Sequence, residues 1–525
     1  MFNLLEEKWI PVETLSGKKI LISPYEMTLN YPNDPIKKIA GPRQDINCSL
    51  LEFLIGLFQT ANILQSELDW FDQLQSPPST DQLYSLLAPF KPYFNLFGEG
   101  ACFLQDFDPK LEGNIWPVEK LVFGSPGKNA IKNNADFFVK RKAIKCMCPA
   151  CIAAVLYNLQ THVGGGGSGF MGALRGAGPL TSIVLGRNLW ETVWSNILPL
   201  EDYPFLSLEE PSQSAALVFP WLKPVSDNKT TEENTHALHA FWGMPRRVRL
   251  KKIDREEYCD LCGCKSASII EECLSKNYGY QYDGVWRHTL SPIVEDETNG
   301  VKCQKIHSGL ICYQHWLQIS IANQNNGKRY RPALAISHFR QNRAARLYRK
   351  LSISFQLQAF GYELDQDKTR AFYHRDFLLL DLPDHVAAKC HEYLERAVQI
   401  AKHWEEKLSL AILSAWKSEE ARKKCASPSS CKDPFWRNTE PDFFSFLHHL
   451  REWLEKFPES VDIPQPLHDW NENLCKHSLT IFDHFTTSGL IEHESLQRIA
   501  KARQSLKLMK SSKTTLALIG SKKNV

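Results

Sequence analysis

Long apolar runs are missing from this chain of 525 residues, and no stretch is long enough to cross a bilayer as a helix. The start, MFNLLEEKWIPVE, sets two acids after a very short apolar stretch, unlike the basic and then apolar order of a signal peptide. Together these absences predict a cytosolic protein that does not contact membranes. Charge of one sign is scarce too: 62 Lys and Arg stand against 59 Asp and Glu, a formal net charge of +3. That balance excludes a uniformly basic coat, so nucleic-acid binding must rest on local clusters. What is present speaks for ordinary globular folding. Apolar residues make up 43% and charged residues 23%, and 14 Trp with 28 Phe supply large groups for filled cores and contact surfaces. A chain this long exceeds what one core organises, so two or more domains are expected.

In the reducing compartment so predicted, the 15 cysteines read as buried apolar residues with a few metal ligands, not as a disulfide framework. Along the chain, WIPVETL, SGKK and ILIS read as strand, turn and strand, with a helix start at SPYEM. To about residue 375, β-rich runs such as TSIVLG alternate with helical stretches and long connections, an irregular α+β pattern without βαβ repeats. After FLLLDLP the period changes. Val386, Cys390, Leu394, Ala397, Ala401, Leu408, Ile412 and Ala415 recur at helical spacing. Three further segments repeat it: Phe443 to Phe457, Leu467 to Phe485, and Leu496 to Met509. The expected fold is therefore α+β, with an irregular domain over residues 1–377 and a four-helix bundle over 378–525. ARKKCASPSSCKDP reads as an exposed loop and KTTLALIGSKKNV as a loosely held tail.

The sharpest chemical signal is a pair of CxxC motifs, Cys148 with Cys151 in CMCPAC and Cys259 with Cys262 in YCDLCGC. Each thiolate pair holds one edge of a zinc tetrahedron and two pairs complete it; four thiolates leave no position for a reactive water, so the zinc is expected to be structural. Cys146 and Cys264 are substitutes, and unrelated buried cysteines are the plainer reading. In HVGGGGSGFMGALRGAGP, Gly167, Gly169 and Gly172 formally match GxGxxG, with Glu191 near the spacing of a ribose-binding acid. A dinucleotide fingerprint follows a strand, however, and Ile152, Val155, Leu156, Leu159 and Val163 set a helical period immediately before it. The glycines suit close approach of backbone to a groove or phosphate, and equally a plain flexible loop. Basic residues interleave with aromatics in NNADFFVKRKAIK, FWGMPRRVRLKK, NGKRYRP and HFRQNRAARLYRK, the combination that neutralises phosphates and stacks on bases. Any one such cluster is more often a solvated face; four point to one basic face. Enzyme signatures are weak. His374-Arg375-Asp376 lacks the rest of a kinase loop, and His468-Asp469 and Asp483-His484 sit within amphipathic segments. The alternative from another class is an HNH-like, metal-dependent nuclease with His288 or His307 as general base, but no compact histidine-rich core follows the second CxxC.

In order, FNLLEEKWIPV, RQDINCSLLEFL, the first CxxC, the glycine loop leading into GFMGALRGAGPLTS, FWGMPRRVRL, the second CxxC, DGVWRHTLSP and GYELDQDKTRAFY resemble the CasA family. These are the large subunits of type I-E CRISPR Cascade surveillance complexes. The resemblance implies a non-enzymatic subunit that reads the protospacer-adjacent motif in duplex DNA and starts strand opening for guide-RNA pairing, leaving base pairing to supply most specificity. Its implied partners are the other Cascade subunits with their guide RNA, the target duplex, and the displaced strand. A recruited helicase-nuclease, or a nuclease carried by a partner subunit, would cut. Carried over by position, Gly165, Gly166, Gly167 and Ser168 form the loop that approaches the minor groove, Ser168 standing where a further glycine is expected. Phe137 and Lys140 fall on the flexible loop at the same DNA region, with Phe138 beside them. The family's minor-groove lysine falls at Asn277, with Lys276 immediately before it. The strand-separating wedge corresponds to Gln366, flanked by Asp365, Asp367 and Lys368.

Overall fold

The structure, a computed structural model, describes residues 2–61, 64, 66–136, 138–165, 169–199, 202–203, 213–225, 228–298, 300–306, 311–325, 327–344, 347, 355–365, 368–379, 384–415, 431–460, 462–487 and 496–520. Two compact units result: Met1–Ser308 with Ala322–Leu379, and Gly309–Ile321 with Leu380–Val525. Among the described residues no helix is long and apolar enough to cross a membrane.

The first unit mixes helices with small antiparallel sheets. Its strands are β1 (Ile10–Thr14), β2 (Lys19–Ile22), β3 (Ile36–Ile39), β4 (Asn114–Pro117), β5 (Thr181–Leu185), β6 (Arg247–Ile253), β7 (Glu257–Tyr258), β8 (Lys265–Ser266), β9 (Ile269–Lys276), β10 (Ile293–Asp296), β11 (Gly300–Cys303), β12 (Asn323–Asn325), β13 (Lys328–Arg331), β14 (Gln356–Asp365) and β15 (Lys368–Leu378). They pair in the orders β2-β1-β3, β4-β9-β6, β15-β14-β5, β11-β10-β13-β12 and β7-β8. The expected opening hairpin forms: Gly17, at φ +87°, makes the turn between β1 and β2, and Ser23 caps a single turn over Pro24–Thr28.

Helix α1 (Gln44–Ala61) is apolar on most of its faces, and a helix of that kind must sit inside; every residue from Asp45 to Thr60 is buried. Its Phe53 meets the rings of Trp9, Phe103, Tyr157 and Trp242 edge-on at 5.5–5.9 Å, contacts worth about 0.5–1.5 kcal/mol each beyond their buried area. Helix α2 (Pro149–His162) supplies Tyr157 to this cluster and runs beside α1. The one charge in the middle of α1, Glu52, is neutralised by Arg175, whose Nη1 also donates to Thr181 and Ser291 at 3.0 Å.

The second unit is helical: α3 (Tyr313–Ser320), α4 (Asp384–Ala415), α5 (Lys432–Lys456), α6 (Gln465–Thr487), α7 (Leu496–Leu508) and α8 (Lys513–Ile519). The four long periodic segments are α4 to α7, and they pack on one another. Three details differ from the sequence reading. The expected division at 377/378 left α3 with the first domain, but Tyr313 stacks on Phe443 at 4.3 Å and Trp316 meets Phe443 and Phe444 edge-on. Burial of these rings outweighs chain order. The tail is held as far as Gly520: Ser512 caps α8, Gly520 ends it at φ +93°, and Thr515 and Ile519 are buried, while residues 521–525 lie outside the described residues. The exposed loop ends earlier than expected. Cys431 is buried and α5 begins at Lys432, while residues 416–430 lie outside the described residues.

Candidate nucleic-acid interface and metal centre

Two CxxC pairs, 114 residues apart between Cys148 and Cys262, meet in space with their sulfurs 3.9 Å apart. Cys148 is the N-cap of α2, accepting from the backbone N–H of Cys151 at 3.5 Å. Cys259 and Cys262 occupy the turn between β7 and β8, closed by Gly263 at φ +72°. All four Sγ atoms lie within 4.8 Å of one another. A tetrahedral ion with metal–sulfur bonds of about 2.3 Å needs sulfur–sulfur edges of about 3.8 Å, so the donor set fits a four-coordinate metal ion. Thiol hydrogen bonds from Cys148 and Cys151 push the Cys259 thiol far down, and one from Cys151 lowers that of Cys262 to about 6. Within the same cluster the donors, Cys148 and Cys151, are pushed up. Of the substitutes, Cys146 bonds the carbonyl of Tyr258 and Cys264 is exposed; neither belongs to the cluster.

This centre is the common origin of two elements. Helix α2 leaves it directly, and Met147 bridges to Ile270 at the start of β9. Fourteen helical residues and eight strand residues later, after roughly 21 Å of helix and 26 Å of strand, their far ends lead into the glycine loop and the segment Lys276–Gly279. There they meet again. Gly169, at φ +80°, lies so close to Asn277 that a Cβ would come within 2.8 Å of that side chain, and the Tyr278 N–H donates to the Gly169 carbonyl at 2.8 Å. Phe170 anchors the loop: Arg246 covers its ring at 4.8 Å while donating to the Gly164 carbonyl at 2.6 Å, and Trp116 of β4 lies 5.7 Å away. Gly165 and Gly172 approach each other closely across the base. Among the described residues, the end of the glycine loop at Gly169 and the segment Asn277–Tyr278 therefore share one locale. Lys276 is exposed and forms no ion pair among the described residues. Gly166, Gly167 and Ser168 lie outside the described residues.

The wedge segment is a hairpin. Strands β14 and β15 pair to Asp365↔Lys368, leaving a two-residue tip of Gln366 and Asp367, both outside the described residues. Asp365 does not stand free for a ligand: Arg370 holds its carboxylate, and that hydrogen bond lowers its pKa. Lys368 is exposed. The root of the hairpin is fixed by Tyr362, whose Oη donates to Asp45 at 2.8 Å and accepts from Asn158 of α2 at 3.0 Å. Its ring also meets His162 at the end of α2 and Phe138. Phe138, under the Arg43 guanidinium at 5.5 Å, is thus committed to internal packing. Phe137 lies outside the described residues, and Lys140 is exposed. Tyr362→Phe is expected to cost about 0.5–1.5 kcal/mol, since it removes the hydroxyl shared by Asp45 and Asn158 while Arg43 still pairs with Asp45 and Ser49 with Asn158; urea unfolding of the purified chain measures it.

Among the described residues, much of the positive charge of the four clusters is paired inside the fold, while Arg346, Arg349 and Lys350 lie outside them. Arg246 and Arg249 hold loop carbonyls, Arg247 pairs with Asp106, Arg331 with Glu295, and Arg343 is buried against Glu67. These guanidiniums build the fold. The first cluster keeps Lys140, Lys142 and Lys145 exposed. As for a nuclease base, His288 is 3% exposed, and burial pushes its pKa well down; His307 lies outside the described residues. Sequence reasoning missed Tyr278, which belongs to no motif, and gave no role of their own to Phe170, Arg246 and Tyr362, which lie within the motifs quoted above.

A family model described as CRISPR-associated protein Cse1 matches residues 3–481. Among solved structures, the chain is similar to Thermus thermophilus CasA (Cse1), at 18% identity and a TM-score of 0.71 over 99% of each chain. It is similar to Thermobifida fusca Cse1 at 15% identity and a TM-score of 0.66, covering 99% of this chain and 98% of that one. A chain of a CRISPR RNA-guided surveillance complex aligns at 16% identity and a TM-score of 0.68, over 97% of this chain and 99% of that one. At these identities the likeness establishes the fold.

Proposed function

The chain belongs to the CRISPR-associated protein Cse1 family, and on that premise we propose that it is the large subunit of a type I-E Cascade complex. In this reading it recognises the protospacer-adjacent motif in duplex DNA and starts strand separation for guide-RNA pairing. One observation carries the reading: the glycine loop and the Lys276–Gly279 segment, far apart in sequence, close on each other through Gly169, Asn277 and Tyr278. A glycine-lined backbone beside a cation and an amide suits the minor groove, whose floor offers acceptors and whose narrow width excludes bulky side chains. Gly165, Gly166, Gly167 and Ser168 then approach the groove, with Lys276 or Asn277 as the reading side chain and Phe137 and Lys140 contacting the same DNA. The hairpin tip, Gln366 with Asp367 between Asp365 and Lys368, enters between the strands. Zinc held by Cys148, Cys151, Cys259 and Cys262 is architectural. The chain supplies no catalytic group; cutting belongs to a recruited helicase-nuclease or to a nuclease on a partner subunit.

The test is capture by the assembled complex, with and without this chain, of duplexes that share a protospacer and differ only beside it. Capture that needs the chain and varies with the neighbouring base pairs is expected. Equal capture of every variant would overturn the reading, as would metal-dependent cutting of plasmid by the chain alone.

The helical unit is assigned to the displaced strand and to neighbouring subunits. Of the cations that suggest this on α7 and just after it, Arg503 pairs with Asp483 and Lys510 with Glu472. Lys501 and Lys507 are exposed and form no ion pair among the described residues. Replacing these two by Gln is therefore expected to weaken displaced-strand protection modestly. The slope of log affinity against log salt should flatten by about 1.4, at roughly 0.7 per lost single-strand phosphate contact. An unchanged slope would remove the strand from this surface.

A further inference from the structure

We propose that Tyr278 is a further DNA-contacting residue, whose ring packs on the sugar–phosphate wall of the bound duplex and positions it beside the glycine loop. The proposal rests on the duplex-reading function given above and adds a residue to that interface. Tyr278 sits at φ +61°, a left-handed conformation that bulky L-residues rarely adopt. Two contacts impose it. Its N–H is bonded to the Gly169 carbonyl, and the next residue, Gly279, is pressed against the Pro245 carbonyl so closely that no Cβ fits.

The fold therefore demands this backbone, but it does not demand this side chain. Asn or Gly takes the same φ at less cost, and the tyrosine, 63% exposed, gains little from packing in return. An unfavourable conformation kept by a ring that faces water is the kind of strain that collects at ligand-holding sites. Tyrosine offers an apolar face for deoxyribose and a hydroxyl for a phosphate oxygen. Contacts of that kind fix the position of a duplex and carry no sequence information.

The experiment compares Tyr278→Gly, Tyr278→Asn and Tyr278→Phe. Both Gly and Asn relieve the backbone, so the melting temperature of the purified chain should hold or rise. In the assembled complex both should weaken capture of target duplex by about tenfold, the scale of one lost contact, and equally for every motif variant. Phe keeps the apolar face and should lose only about twofold to threefold, the hydroxyl's share. Wild-type capture by the Gly and Asn variants would overturn the proposal, as would a loss confined to particular motif sequences. If the unaltered complex itself ignores the base pairs beside the protospacer, the duplex-reading function fails instead, so the two failures are told apart.

Discussion

Cys259→Ser is expected to strip zinc from the purified chain and to lower its first melting transition by about 5 °C. Structural zinc sites in small peptides contribute roughly 10–16 kcal/mol. If a third of that survives in a domain with its own core, about 4 kcal/mol is lost, which in a unit of this size corresponds to about 5 °C. The loss should also reach the DNA interface. The four sulfurs hold the start of α2 beside the start of β9, and the far ends of those elements carry the glycine loop and Lys276. Freed at their common origin, they lose the alignment that brings Gly169 against Asn277, so duplex capture by the assembled complex should fall with the zinc content. Cys264→Ser is the matched control, because that exposed thiol lies outside the cluster. Metal analysis and calorimetry decide the matter. A Cys259→Ser chain with a full equivalent of zinc and an unchanged transition would refute the site.

Blocking the groove and blunting the wedge should separate two steps of one process. Gly166→Phe puts a ring where backbone must approach base edges, and should lower initial capture about a hundredfold, equivalent to losing one or two groove contacts of 1–3 kcal/mol. Gln366→Ala should leave capture intact and slow opening. On the proposed function the tip residue offsets part of the cost of unpairing, and a loss on the scale of one stacking step, about 1.4 kcal/mol, would slow opening about tenfold. The hairpin beneath it, fixed by Tyr362 to Asp45 and Asn158, gives such a wedge a rigid base. A target with a pre-opened bubble beside the motif should rescue Gln366→Ala and leave Gly166→Phe impaired, because the bubble removes the unpairing cost without restoring access to the groove. Equal rescue of both, or normal opening of paired DNA by the Gln366 variant, would refute the assignment of roles.

The parts written in short-range code were legible without the structure. The period of Val386 to Ala415 emerged as a helix over Asp384–Ala415, the helix before the glycines ended at His162, and each CxxC formed its own tight turn. Such signals depend on neighbours three or four residues away. The order of motifs added the family. Other features depended on which distant segments met. Tyr313 joined the helical unit because its ring is buried against Phe443. Arg246, Arg249 and Arg343, basic in sequence, were spent on carbonyls and a carboxylate inside the fold. Even Asp365, read as part of the wedge, was taken up by Arg370 across the hairpin.

Tyr278 shows the division most sharply. Its residue type was always visible, but its left-handed backbone follows from Gly169 and Pro245, which are more than a hundred and more than thirty positions away. The sequence by itself determined the four thiols able to hold a metal ion, the helical periods and the run of glycines that follows a helix. Only the tertiary structure decided that the end of β9 meets the glycine loop and that Tyr362 of the hairpin bonds to the helix that leads into it. Local propensity acts over a few residues, whereas burial of apolar surface and pairing of buried polar groups bring together segments that no local rule connects.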